Sequence, residues 1–126
     1  EVRRITKRNR GVSLRQVLTE LGRYTDDWGA YFHIAQTPSV FQEFDQWIRR
    51  RLRCYQWKLW KWPGTRAKEL LAAKIGRYLA WGTAYGTRGP WCVAGSPAMT
   101  QALSNAILER LGFRSLLRRY QALATS

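Results

Sequence analysis

The stretch from Pro38 to Trp62, PSVFQEFDQWIRRRLRCYQWKLWKW, decides the fold class. Phe41, Phe44, Ile48, Leu52, Tyr55, Leu59 and Trp62 recur at steps of three and four. At about 100° per residue these positions share one narrow arc of a helix. Thr37 stands before Pro38, a capping hydroxyl ahead of a proline at the first helical position, where no N–H is needed. Away from the stripe lie Arg49, Arg50, Arg53 and Lys61, with Trp57 and Trp60 among them. Cations interleaved with flat rings suit nucleic acid, since cations meet phosphates and indoles stack on unpaired bases. The same pattern also fits tryptophans packed on another element beneath arginine stems.

Both flanks continue the helical pattern. Upstream, Ser13 and Gln16 form a capping box, and Leu14, Val17, Leu18, Leu21, Tyr24, Trp28, Tyr31 and Phe32 make a second stripe, open to interruption at Gly22 or Gly29. Downstream, Trp62-Pro63-Gly64 ends the long helix, and Thr65 is placed to cap another through Leu70, Leu71 and Ile75. Gly76 breaks it before Tyr78, Leu79 and Trp81. Gly82, Gly86, Gly89 and Pro90 mark a loop, and Trp91–Gly95 reads as a short extended run. Ser96-Pro97 repeats the cap-plus-proline start, Gly112 is a helix stop, and Ser115 is placed to cap a last helix carrying Leu116, Leu117, Tyr120 and Leu123. No strand pair is evident. The expected class is all-α, a small helical bundle: residues 1–62 form a core with a basic N-terminal arm, and residues 63–126 a C-terminal helical extension packed on it as one structural unit.

Charge points to the partner. The 126 residues carry a net charge of +14. It is shared evenly, with 13 basic against 6 acidic residues up to Trp62 and 9 against 2 after it. Such a field attracts phosphate backbones and releases their counterions. The 45% apolar and 13% aromatic content excludes a disordered basic tail. No apolar run is long enough for a membrane span, and no secretory signal is visible. Two cysteines, Cys54 and Cys92, fit a reducing cytoplasmic setting. Residue 1 is Glu and Met99 is the sole methionine, so the chain is expected to be a piece of a longer protein.

No catalytic constellation, metal site or cofactor is expected. Tyr24-Thr25-Asp26-Asp27 spells the Y-x-D-D of reverse-transcriptase active sites, where paired carboxylates on a strand hairpin hold metal ions. Here the flanks carry helical periodicity, and adjacent side chains on a helix diverge. Two solvated acids are the simpler reading. His33 has no partner in sequence, and neither cysteine has metal-ligand spacing.

Several segments resemble a known family. Leu21-Gly22-Arg23-Tyr24 with Trp28-Gly29-Ala30-Tyr31-Phe32 resembles the L-N-x-x-x-x-G-W-x-N-Y-F signature of the maturase-specific domain of bacterial group II intron reverse transcriptases. The similarity continues through Phe44–Arg53 and Trp57–Lys61, and resumes at Gly89-Pro90-Trp91, Ala94–Pro97 and Ala102–Ala106 before Gly112. It implies a thumb-like domain, also called domain X, that binds intron RNA, aids its folding and splicing, and grips the RNA/DNA template–primer duplex. It further implies an upstream polymerase domain in the same protein that supplies the catalytic carboxylates, so this piece is itself no enzyme. The sequence departs from the pattern at Gly22 and Ala30, which replace asparagines, at Asp26-Asp27, where Arg-Gly is usual, and at Cys92, where an Arg often follows the tryptophan. Lys7, Arg8, Arg10, Arg49, Arg50, Arg53, Lys58 and Lys61 are the expected phosphate contacts, with Trp57 and Trp60 as stacking residues. Trp28, Tyr31, Phe32, Phe44 and Ile48 are assigned to the core. The alternative is a cationic, tryptophan-rich amphipathic helix lying on an anionic membrane surface, which requires the Phe41–Trp62 stripe to be exposed.

Overall fold

The computed structural model describes residues 12–26 and 38–118. Helices α1 (Leu14–Asp26), α2 (Pro38–Leu59), α3 (Pro63–Ala72), α4 (Arg77–Ala84), α5 (Pro90–Ala94), α6 (Pro97–Ala102) and α7 (Asn105–Leu111) follow in order. Helical conformation resumes at Leu116. Among the described residues there is no strand, and the protein is all-α.

The caps explain most boundaries. The Ser13 hydroxyl accepts from the Gln16 N–H at 3.3 Å, opening α1. Ser104 does the same for α7 through Ile107 N–H, and Ser115 accepts from Arg118 N–H at the last helical turn. Pro63, Pro90 and Pro97 each occupy a first-turn position, where the missing N–H leaves no acceptor unpaired. The chain leaves α3 through Lys74 at φ 66° and α7 through Gly112 at φ 123°. In both exits the next two N–H groups reach back in the same way: Lys74 to Leu71 O and Ile75 to Leu70 O, Gly112 to Glu109 O and Phe113 to Leu108 O. This is the Schellman closure, which tucks the following residue, Ile75 or Phe113, into the core.

Four local expectations are corrected. Residues 91–94 are helical, because Gly89 is extended and Pro90 presets the first helical φ. Gly82 lies inside α4, so the loop begins only at Tyr85. The third helix starts at Pro63 and not at Thr65, with Trp62 as its N-cap. Trp62 leaves the stripe and is 69% exposed, because Lys61 adopts φ 55° and turns the chain outward.

α2 is the spine. Phe41, Ile48, Leu52 and Tyr55 share with the Leu14, Val17, Leu18 and Leu21 stripe of α1 one buried apolar cluster that continues to Leu116. Phe44 packs against it, partly buried. Tyr55 Oη donates to the Val12 carbonyl and fixes the chain entering α1. α2 also packs extensively on α5, α3 pairs with α4, and α6 touches α3, α4 and α5. Trp57, nine residues beyond Ile48 and so about half a turn round the helix, is also buried. Both sides of α2 are therefore covered. The membrane-surface alternative needed that stripe in contact with lipid; Phe41, Ile48, Leu52 and Tyr55 are core, Phe44 and Leu59 pack against it, and only Trp62 is exposed. No helix among the described residues is long and apolar enough to cross a membrane.

Candidate nucleic-acid interface

The arginines of α2 do not form one solvent face. Arg53 is buried, its Nε donating to the Leu103 carbonyl at 2.7 Å and its Nη2 to Asn105 Oδ1 at 3.0 Å. Leu103 closes α6, so this guanidinium satisfies a carbonyl that the helix leaves free. Burial, and then the nearby charge of Arg49, hold the Arg53 pKa below its ordinary value. Arg50 donates from Nε and Nη2 to the Trp91 carbonyl at 3.1 and 2.8 Å, and its guanidinium lies 4.3 Å from the centre of the Trp91 ring. Gly95 lines its other side: a Cβ there would stand 3.1 Å from the guanidinium carbon. Arg49 faces the Phe113 ring at 5.4 Å, and its Nε is buried without an acceptor among the described residues. Arg51 lies 5.4 Å from the Trp47 ring.

Trp57 is only 2% exposed and meets Trp60 edge-on, with ring centroids 6.2 Å apart. Arg66 covers it from α3, with its guanidinium 4.6 Å from the ring and its Nε donating to the Trp57 carbonyl at 3.0 Å. Burial lowers the Arg66 pKa. Of the described residues expected to reach nucleic acid, Arg53 and Trp57 are the two that are buried. Both are interior, because the segment after Pro63 folds back over the side of α2 that periodicity alone leaves open.

The cations that do face solvent lie elsewhere. Lys58 is half-buried and Lys61 exposed at the α2–α3 corner, beside half-buried Trp60 and exposed Trp62. On the outer side of α1, Arg15 and Arg23 are exposed. Arg23, Thr19 and Arg114 line a cleft of about 300 Å³ together with Gly22 and Gly112. These α1 positions were not singled out from sequence; their signal is that Arg15, Thr19 and Arg23 recur every fourth residue opposite the apolar stripe. Lys7, Arg8, Arg10, Trp28, Tyr31 and Phe32 lie outside the described residues, as do Asp27 and His33. Tyr24, Thr25 and Asp26 belong to the last turn of α1, not to a strand hairpin. Among the described residues no group of three or more His, Cys, Asp or Glu side chains could hold a metal. Among the described residues, Cys54 and Cys92 are not joined to each other or to another cysteine by a disulfide.

Two comparisons bear on this arrangement. The model of the family described as "Group II intron, maturase-specific domain" matches residues 1–73. No curated protein matches the chain.

Proposed function

Because the chain belongs to the group II intron maturase-specific domain family, a family distinct from the catalytic polymerase domain, we propose that it binds intron RNA by electrostatic clamping. The observation that carries this reading is the family match over residues 1–73. The charge supports it: +14 overall, with Arg15, Arg23 and Lys61 exposed on the matched segment. Lys58 and Lys61 at the α2–α3 corner, Arg15 and Arg23 on α1, and the basic arm of Lys7, Arg8 and Arg10 contact phosphates. Trp60 and Trp62 offer ring faces beside them. Arg49, Arg50 and Arg53 act indirectly, by holding α2 in register with the C-terminal helices that frame this surface.

In this reading the clamp favours the folded intron and so aids splicing, and in the parent reverse transcriptase it also holds the template–primer duplex beside an upstream polymerase domain, in the cytoplasm. The test is a salt titration of binding to a structured intron RNA. Each neutralised phosphate adds about 0.7–0.9 to the log–log slope. Lys58→Glu with Lys61→Glu is expected to weaken binding and flatten that slope. An affinity indifferent to salt would remove the clamp.

A further inference from the structure

Helix α4 carries an unusual surface. Tyr78, Trp81 and Tyr85 follow at steps of three and four, so they share one side of the helix and its C-terminal cap. Tyr78 is 95% exposed, Trp81 45% and Tyr85 54%. The Trp81 and Tyr85 rings are parallel to within 8°, with centroids 5.2 Å apart. Rings of this size normally contribute their area to a core, as Trp57 does. Here they are ordered against each other and turned to solvent.

The ground between them is open. Beyond the helix's own backbone and its chain neighbours, no described residue comes within 4 Å of where a Gly82 Cβ would stand. Gly82 lies, with Tyr78, on the border of two clefts. One of about 790 Å³ runs along Arg77, Trp81 and Tyr85. The other, of about 390 Å³, runs toward Thr83, Thr87 and Arg88. Arg77 and Arg88 are exposed at the two ends of the surface. No Asp or Glu occurs between Glu69 and Glu109, so nothing of opposite sign within that stretch competes for these cations. Leu71 and Leu79 are the only exposed large aliphatic side chains among the described residues, too few to bury in a lipid surface or a hydrophobic protein groove. Planar rings, a gap bordered by glycine and cations at both ends match a strand with free base faces. Stacking takes any base, and duplexes hide those faces.

We propose that the Tyr78–Trp81–Tyr85 surface of α4 is a single-strand nucleic-acid site. Bases stack on the Trp81–Tyr85 pair and on Tyr78, and flanking phosphates meet Arg77 and Arg88. The site goes beyond the maturase reading: it lies outside residues 1–73 and uses none of the cations assigned to the intron-RNA clamp.

The test is fluorescence anisotropy of the chain with a short oligouridylate, a short oligothymidylate and an RNA duplex of the same length, with anionic phosphatidylglycerol vesicles as competitor. Tyr78→Ala and Trp81→Ala are each expected to weaken single-strand binding by about fivefold or more, the loss of one stacked base, and to leave duplex binding unchanged. Gly82→Met, which projects into open space, is expected to do the same at undiminished thermal stability. Loss on either oligonucleotide supports the site, and the pair tells whether the strand is RNA or DNA. Unchanged affinity in all three variants, or equal losses on the duplex, overturns it. So does displacement by vesicles at a lipid concentration where Tyr78→Ala no longer binds them. Lys58→Glu with Lys61→Glu is expected to leave oligonucleotide binding intact, so failure of the clamp and failure of this site read out separately.

Discussion

The carboxylate of Asp45, buried on α2, accepts a 2.6 Å hydrogen bond from the hydroxyl of Ser115, 70 residues further along the chain. The same carboxylate accepts from the N–H groups of Leu116 and Leu117 at 2.8 and 3.1 Å. One acid therefore caps the helical turn at Leu116 from outside it, where N–H groups have no intrahelical acceptor and negative charge is favoured. Asp45→Ala is expected to cost about 3 kcal/mol, since it strands the buried Leu116 N–H, the part-buried Leu117 N–H and a buried hydroxyl. Ser115→Ala, which removes one member, is expected to cost about 1 kcal/mol. Urea denaturation of both single variants and the double variant checks the pair. Strictly additive losses would contradict a shared network.

Arg53 separates stability from binding. Arg53→Lys keeps the charge and loses the planar fork that spans Leu103 O and Asn105 Oδ1. A loss of about 1–2 kcal/mol in stability is expected, with RNA affinity of the folded protein unchanged. Lys61→Glu should behave in the opposite sense. Paired denaturation and binding curves decide, and a drop in affinity for Arg53→Lys without a drop in stability would place Arg53 at the RNA.

The tryptophans divide in the same way. Trp57→Ala removes a ring buried beneath Arg66 and is expected to cost about 3–5 kcal/mol. Trp62→Ala, at 69% exposure, should stay within about 0.5 kcal/mol. Thermal melts of the two variants test the assignment directly.

Lys74 and Gly112 close their helices with the same pair of hydrogen bonds, but only Gly112 lacks a Cβ. Lys74 holds φ 66°, a conformation that costs an L-residue about 1–2 kcal/mol. Lys74→Gly is expected to stabilise the protein by about 0.5–1 kcal/mol. Gly112→Ala, at φ 123°, should destabilise it by more than that gain. Melting temperatures moving in the same direction for both variants would rule out backbone strain as the cause.

Local chemistry was the legible part of this molecule. Ser13, Gly112 and Ser115 marked helix ends because caps act over three or four residues; Pro97 marked one through its own fixed φ, while the Ser96 hydroxyl donates back to the Val93 carbonyl and caps nothing. The apolar stripes of α1 and α2 announced their shared core. Residues 91–95 misled because five residues are too few for a period to distinguish helix from extended chain. Trp57 and Arg53 misled for a different reason. Periodicity finds one buried face, and α2 has two, the second created by residues that lie from nine positions (Arg66 on Trp57) to 52 positions (Asn105 on Arg53) further along the chain. An arginine beside an aromatic ring has the same local signature whether its acceptor is a phosphate or, as for Arg50, the carbonyl of Trp91.

The spine position of α2 also bears on what can be inherited or transplanted as a piece. The family match stops at residue 73, yet Arg50, Arg53 and Asp45 all find their acceptors or donors beyond it. A chain cut at that boundary would keep two cations and an anion built for an interior that is no longer there, each an uncompensated burial or a reason to stay unfolded. Homology delimits one segment and cooperativity another. Any exchange of this domain between proteins has to move the C-terminal helices with the matched segment, because the smallest heritable unit here is larger than the smallest recognisable one.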